Sequence, residues 1–111
     1  MKKNENEDIR GKVLDSVTLV GYGKGAVVSR TIMEKKTGTV TIFAFDKGQG
    51  LSEHTAPFDA MAAIIEGEAV ITVAGKANKV KGGEFMIMPA NKPHSLKAVT
   101  KFKMVLVMIR S

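Results

Sequence analysis

Residues 48–67, GQGLSEHTAPFDAMAAIIEG, and residues 83–94, GEFMIMPANKPH, decide how this chain folds. Each stretch contains one of the two histidines of the sequence, His54 and His94. Each is framed by glycines and a proline, residues that turn extended strands sharply. In a small antiparallel barrel the inward-pointing side chains of different strands converge on one interior. We therefore expect the two imidazoles to be neighbours in space.

The rest of the chain is typical of successive short strands with turns between them, and no long helical pattern interrupts it. Alternating β-branched, aromatic and aliphatic residues predict strands at 26–34, 39–46, 60–66, 69–74, 85–88 and 102–109. Hairpin turns are predicted at 35–38 and 75–78. The apolar spacing of residues 14–20 fits both a short helix and an edge strand, and we expect this segment to cover one mouth of the barrel.

The spacing around the first histidine resembles the first motif of the cupins, a family of small β-barrels. That motif runs glycine, five residues, histidine, one residue, histidine, three or four residues, glutamate, six residues, glycine. Here Gly48, His54, Ala56, Ala60 and Gly67 stand at those places. One of the three ligand positions of the motif is therefore kept.

The second stretch resembles the second cupin motif, which runs glycine, five residues, proline, one residue, glycine, two residues, histidine, three residues, asparagine. Gly83, Pro89, Asn91, His94 and Ala98 stand at those places, so the histidine is kept. The resemblance implies an all-β, single-domain fold, the double-stranded β-helix or jelly-roll barrel. We assign residues 12–111 to this barrel and the charged residues 1–11 to a flexible N-terminal tail.

In the family, the two histidines and the glutamate of the first motif hold a metal ion together with the histidine of the second. The resemblance thus implies that His54 and His94 are metal ligands for Fe, Mn, Ni, Cu or Zn, with a third donor still to be found. Gln49, Glu53 and Asp59 are the candidates. The alternative is that the two rings form hydrogen bonds to the barrel backbone, or to each other through water.

Alanine at two ligand positions makes the predicted interior larger and more apolar. Methionines on the neighbouring strands are candidates to line a ligand pocket beside the two histidines, and ordinary core packing is the alternative for them. These residues are Met61, Met86, Met88 and Met104, with Met108 on the same strand as Met104.

Charge and composition narrow the classes of partner. The 111 residues carry a net charge of +6, but the lysines are scattered and no recognition helix or aromatic RNA-binding motif accompanies them, so we predict no nucleic-acid partner. The absence of cysteine excludes thiolate chemistry and disulfides. No apolar run reaches membrane-spanning length, so we predict a cytoplasmic protein with no membrane partner. The small size and the resemblance favour a homodimer.

Three functions follow as hypotheses. The leading one is a small-molecule-binding domain with a reduced metal site in the barrel mouth and no assignable reaction. The second is a metal-dependent enzyme of dioxygenase or isomerase type. The third is a sensor or interaction module that acts by binding alone.

Overall fold

A computed structural model describes residues 8–110 as two antiparallel β-sheets packed face to face. This part of the chain contains the strands β1 Val27–Lys35, β2 Gly38–Phe45, β3 Gly50–His54, β4 Ala60–Glu66, β5 Glu68–Val73, β6 Lys76–Lys81, β7 Phe85–Met88, β8 His94–Ala98 and β9 Phe102–Ile109. One sheet has the strand order β1-β2-β9-β4-β7, and the other has the order β3-β8-β5-β6. The prediction of an all-β jelly-roll barrel is confirmed.

The core lies between the two sheets. Its largest fully buried side chains come from β2, β4, β5, β7 and β9, and they are Phe45, Phe102, Ile64, Ile71, Met88 and Met104. Ile42 is also fully buried, but it packs on the outer side of its sheet. The rings of Phe45 and Phe102 stack with centroids 4.5 Å apart and planes 7° from parallel. Burying such rings contributes roughly 1.5–3 kcal/mol each, so this pair anchors one end of the barrel.

The six predicted strands are found within one residue of their expected bounds, but β3 and β8 were not predicted as strands, and neither was β6. Its sequence KANKVK is too polar to show the alternation of a half-buried strand. β6 is the edge strand of the four-stranded sheet, where lysines are common because they discourage pairing with another chain. The turn before it is Ala74–Gly75 rather than 75–78, and both residues have positive φ, 49° and 83°, as a tight hairpin turn requires.

The segment 15–22, which we call the N-terminal strap, packs on the outside of the five-stranded sheet. It begins with a short 3₁₀ helix, Ser16–Thr18, in which the Asp15 carboxylate accepts a hydrogen bond from the Val17 amide at 3.0 Å. Val20 then packs against Ile42 and Ala44. These two residues point away from the core because they alternate along β2 with Phe43 and Phe45. The expectation that this segment covers a barrel mouth was therefore wrong.

A buried lysine holds the strap in place. Lys103 on β9 is 6 % exposed, and its ammonium donates to the Val17 carbonyl and lies 3.9 Å from the Glu66 carboxylate. The same ammonium lies 4.8 Å from the centre of the Tyr22 ring, whose hydroxyl donates to Glu66 at 2.6 Å. Burial, reinforced by this hydrogen bond, raises the pKa of Tyr22. The strap thus supplies a carbonyl and an aromatic ring to the buried cation, and β4 supplies the carboxylate.

Part of the predicted flexible tail at 1–11 lies outside the described residues. Where the structure begins, the side chains of Asp8 and Arg10 form an exposed ion pair at 3.0 Å. The flexibility of residues 1–7 remains a prediction. Across residues 8–110, no helix is long and apolar enough to cross a bilayer.

Replacing Gly67 by alanine should strongly destabilise the fold. Gly67 joins β4 to β5 with φ of 82°, and a Cβ there would lie 2.1 Å from the Lys101 carbonyl oxygen. Strain in the left-handed region plus the backbone clash should lower the free energy of unfolding by about 2–5 kcal/mol. Gly75→Ala is the matched control, because φ is 83° but no atom lies within 4 Å. It should lose only about 1–2 kcal/mol. Urea denaturation measures both, and equal losses would contradict the role of the close approach.

Candidate functional site

The structure brings His54 and His94 together across neighbouring strands. His54 ends β3 and His94 begins β8, and the two are register partners. Their ring centroids are 4.4 Å apart, with the planes at 71° in an edge-to-face contact. The two histidines that the sequence marks as neighbours therefore form one site.

A β-bulge places His54 in this contact. Leu51 pairs with Leu96, and the next register pair is His54 with His94, so β3 advances three residues while β8 advances two. Regular alternation from Leu51 would have pointed Glu53 inward. The extra residue of the bulge instead leaves Glu53 exposed and turns His54 towards the barrel mouth.

Each imidazole is held by its own backbone. Nδ1 of His54 lies 2.7 Å from the Ser52 carbonyl oxygen, and Nδ1 of His94 lies 3.1 Å from the Lys92 carbonyl oxygen. A carbonyl only accepts, so Nδ1 carries the proton in both rings. In the neutral rings Nε2 then keeps its lone pair, and within residues 8–110 no hydrogen bond reaches either Nε2. The site presents two unpaired acceptors.

The electrostatics of the site keep His94 neutral. His94 is only 4 % exposed, whereas His54 lies at the surface. Burial lowers the pKa of His94 from its ordinary value, the hydrogen bond to the Lys92 carbonyl opposes this with a smaller effect, and the nearby His54 adds the smallest lowering. At neutral pH the His94 ring is therefore an acceptor or a metal ligand rather than a cation.

The two imidazoles border a mainly apolar cavity of about 260 Å³, which we call the histidine cavity. It lies between the sheets, with side chains from β3, β4, β7, β8 and β9 around it. They are Leu51, His54, Ala56, Ala60, Met88, His94, Leu96, Met104, Leu106 and Met108. Of the four methionines assigned to a pocket from the sequence, Met88 and Met104 are here. The three leucines were missed, although Leu51 and Leu96 could have been found from their alternation with the surface residues of β3 and β8.

Met61 and Met86 do not line the histidine cavity. Met61 alternates along β4 with the buried Ala60 and Ala62, so it faces outward into a groove of about 560 Å³ on the five-stranded sheet. Met86 packs against the core but lines a separate surface depression beside β6. Sequence alternation marks both as candidates for an inner face, but only the strand register tells which face encloses the cavity.

None of the three candidate third donors lines the histidine cavity. The Asp59 carboxylate accepts a hydrogen bond from the Ala90 amide at 2.8 Å and borders the outer groove. Glu53 is exposed, and Gln49 lies in the turn before β3, where its carbonyl accepts from Ala98 at 2.8 Å. No group of three or more histidine, aspartate or glutamate residues in the stretch 8–110 could hold a metal ion. This donor set does not fit the mononuclear centre implied by the cupin motifs.

Comparison with known proteins identifies the fold independently. The cupin domain model matches residues 41–110, more than half of the chain. A conserved protein of unknown function from Streptococcus pyogenes is 37% identical, with a TM-score of 0.89 over 97% of this chain and 93% of that chain. A cupin 2 conserved barrel domain protein from Leptotrichia buccalis is also 37% identical, with a TM-score of 0.82 over 85% of this chain and 46% of that one.

More distant structures share the fold alone. A mutant form of salicylate 1,2-dioxygenase from Pseudoaminobacter salicylatoxidans is 16% identical, with a TM-score of 0.70 over 78% of this chain and 26% of that chain. No curated protein matches the chain. The domain model matches more than half of the chain, and two solved structures are 37% identical to it. This chain belongs to the cupin domain family.

Proposed function

We propose that this cupin domain binds a small molecule in the histidine cavity and that it acts by binding rather than by metal-dependent catalysis. The observation that carries the proposal is the pair of unpaired Nε2 acceptors beside an apolar space of about 260 Å³. A few convergent polar atoms in an otherwise apolar cavity are typical of sites for small ligands. The ligand class that fits is a small apolar body with a hydroxyl or similar donor.

The size of the cavity limits the ligand. An apolar cavity of about 150 Å³ accepts benzene. The histidine cavity is larger than that, and its mouth is next to the exposed His54. A phenol or a cyclic alcohol would place its ring against the leucines and methionines and donate its hydroxyl proton to an imidazole nitrogen.

The dioxygenase or isomerase hypothesis has less support. Such an enzyme needs a third nitrogen or oxygen ligand for its metal, and the described residues do not bring one to the two histidines. The likeness to a dioxygenase is one of fold, which carries many functions. A sensor role is compatible with binding alone. The cytoplasm remains the proposed location, on the ground that the sequence lacks a long apolar run.

We also propose a homodimer formed through the outer face of the five-stranded sheet. One row of register partners crosses all five strands without a charged residue: Met33, Val40, Val107, Met61 and Ile87, which we call the outer row. The end residues Met33 and Ile87 are 52 % and 53 % exposed, and Phe85 and Ile109 beside the row are 63 % and 60 % exposed. A contiguous apolar face of this kind marks an interface.

A second copy is the occupant that best suits the outer row. The four spacings of about 4.8 Å between five strands make the row about 19 Å long, which suits the roughly 800 Å² per partner of a standard interface. The row has flexible or branched side chains of similar size at both ends and Val107 at its centre. A two-fold axis along the strand direction over Val107 would place Met33 against Ile87 of the second copy, as a self-complementary interface requires. Two such faces would pack as in a β-sandwich.

Phenol should bind to the histidine cavity more tightly than anisole, which has a similar shape but no donor. A net hydrogen bond of about 1 kcal/mol predicts roughly a fivefold difference in Kd. His54→Leu and His94→Leu together should abolish this difference, whereas Met61→Leu in the outer groove should leave it unchanged. Isothermal titration or NMR titration of each variant with both ligands measures the constants. Equal affinities for phenol and anisole in the unmodified protein would refute the proposal.

The free energy of unfolding should fall as the pH is lowered through about 6.5. The pKa of His94 is lowered in the folded state, so the unfolded chain binds more protons below its own pKa, and stability present at higher pH is lost on acidification. Urea denaturation between pH 5.5 and 7.5 should show this slope in the unmodified protein and a smaller slope in His94→Leu. An unchanged slope in the variant would show that His94 does not cause it.

A lysine at the centre of the outer row should separate the two copies. Val107→Lys puts a charge in the middle of the proposed interface, and the loss of such a central contact should raise the dimer Kd about 100-fold or more. Val70→Lys is the matched control, since Val70 pairs with Lys79 and Lys97 on the opposite sheet. Sedimentation equilibrium should give twice 11.9 kDa for the unmodified protein and for the control, but 11.9 kDa for Val107→Lys. A monomeric unmodified protein at about 100 µM, or a dimeric Val107→Lys, would overturn the interface.

A further inference from the structure

We propose that the free edge of β7 is a docking site for an acidic, extended segment of a partner protein, which adds to the five-stranded sheet as a further strand. β7 ends this sheet, with β4 on one side and, among the described residues, no strand on the other. The site is the edge of the sheet rather than its inner face. The proposal therefore does not depend on small-molecule binding in the histidine cavity.

The other three sheet edges carry features that block the addition of a strand. β6 has three lysines, β1 has charged residues and a register shift, and β3 is interrupted by its bulge. Charged side chains and bulges are the usual protection of an edge strand. β7, with the sequence FMIM, has no charged residue, proline or register shift. In the part of the chain that the structure describes, β7 is thus the edge left open to pairing.

The hydrogen-bond pattern of β7 points two of its peptide groups away from the sheet. The Ile64 amide donates to the Glu84 carbonyl at 2.9 Å, and the pairing of β4 with β7 continues without a register shift. Bonded residues alternate in an antiparallel ladder, so the N–H and C=O groups of Phe85 and Ile87 face away from β4. No turn or loop hydrogen bond within the described chain reaches these groups. They are free to pair with a strand.

The surroundings of this edge suit a strand with one apolar and one polar face. Phe85 and Ile87 are 63 % and 53 % exposed on the outer side of the sheet, where apolar side chains of an added strand would contact them. Between the edges of β7 and β6 lies a surface depression of about 510 Å³, bordered by Met86 and Lys79. Successive side chains of a strand point to opposite faces, so the remaining side chains would lie over this depression.

Charge complementarity favours an acidic occupant. The Lys79 side chain is 71 % exposed and lies 3.5 Å from Glu68, an accessible ion pair of the kind that contributes little and can be exchanged. Lys76 and Lys81 are exposed on the same strand. The Glu84 carboxylate, which borders the depression by its backbone neighbours, already accepts a hydrogen bond from the Lys81 amide at 3.0 Å. A second copy would bring the same lysines to this edge, and its net charge of +6 disfavours that pairing.

An acetylated and amidated heptapeptide, EVEVEVE, tests the site in the full-length protein. Its valines should lie opposite Phe85 and Ile87, and its glutamates over the depression beside Lys79. NMR titration should show saturable binding with a Kd below about 1 mM, and the lysine counterpart KVKVKVK should bind about tenfold more weakly or less. No binding of EVEVEVE at about 1 mM, or equal affinities for the two peptides, would overturn the proposal.

N-methylated forms of the peptide test whether backbone pairing carries the binding. Residues opposite Phe85 and Ile87 form the hydrogen-bonded pairs, so their N–H groups point at β7. Methylation of the valine nitrogens should therefore abolish binding, whereas methylation of the glutamate nitrogens should preserve it. Equal affinities of the two methylated peptides would contradict strand addition.

Ile87→Pro removes one outward N–H group from the protein itself. Edge strands tolerate proline where the N–H faces solvent, so the variant should keep its melting temperature but bind EVEVEVE about tenfold more weakly or less. Ser29→Pro on β1 is the matched control. The Asp46 amide donates to the Ala26 carbonyl, so by alternation the Ser29 N–H also faces away from its neighbouring strand. Binding equal to that of the unmodified protein is expected for the control, and the same result for Ile87→Pro would overturn the site.

Amide hydrogen exchange locates the peptide and identifies the occupant. In the protein alone, the amides of Phe85 and Ile87 should exchange faster than that of Met86, and saturating EVEVEVE should slow them about tenfold or more. Binding without this protection would place the peptide elsewhere and overturn the proposal. Protection in the protein alone that grows with protein concentration would assign the edge to a second copy, which would also overturn it.

Discussion

The alternation of side chains along the central strands of the five-stranded sheet decides what each of its two faces presents. Successive residues of β4 must point to opposite faces, so Ala60, Ala62 and Ile64 are buried in the barrel while Met61 faces outward. The same rule on β9 sends Met104 inward and Lys103 outward to the N-terminal strap. One sheet thereby builds two surfaces, an inner one that encloses the histidine cavity and an outer one divided between the strap and the outer row.

The functional site depends on a local exception to that rule. The bulge in β3 shifts the strand by one residue, so that the barrel mouth receives His54 instead of Glu53. A carboxylate beside a buried imidazole would raise the pKa of His94 and favour its charged form. The exposed position of Glu53 instead leaves His94 with another imidazole as its neighbour. The bulge therefore fixes both the geometry of the histidine pair and its electrical neutrality.

The fold could be predicted from the sequence because its determinants are local. Gly67 marks a tight crossing, Pro89 and Asn91 shape the loop before His94, and β9 is a long run of alternating apolar residues. β6 was missed because an edge strand tolerates polar residues. The pairing of the histidines was also predicted, since both motifs keep their spacing. Which methionines line the cavity could not be predicted, because this depends on which face of each strand is turned inward. Met61 and Met88 both lie on apolar strands, but only Met88 faces the cavity, whereas Met61 faces the outer groove.

Two alanines make the histidine cavity different from the metal site that the cupin motifs imply. Ala56 and Ala60 stand where the family motif supplies a histidine and a glutamate, and both line the space beside His54 and His94. Removing an imidazole and a carboxylate takes away the charge that the motif uses to balance a buried divalent ion, so what remains is a pair of neutral acceptors in an apolar wall. Such a wall lowers the local dielectric constant and strengthens each remaining polar contact. The selectivity of the site must then come from what the two Nε2 atoms accept and from the shape of the apolar wall around them.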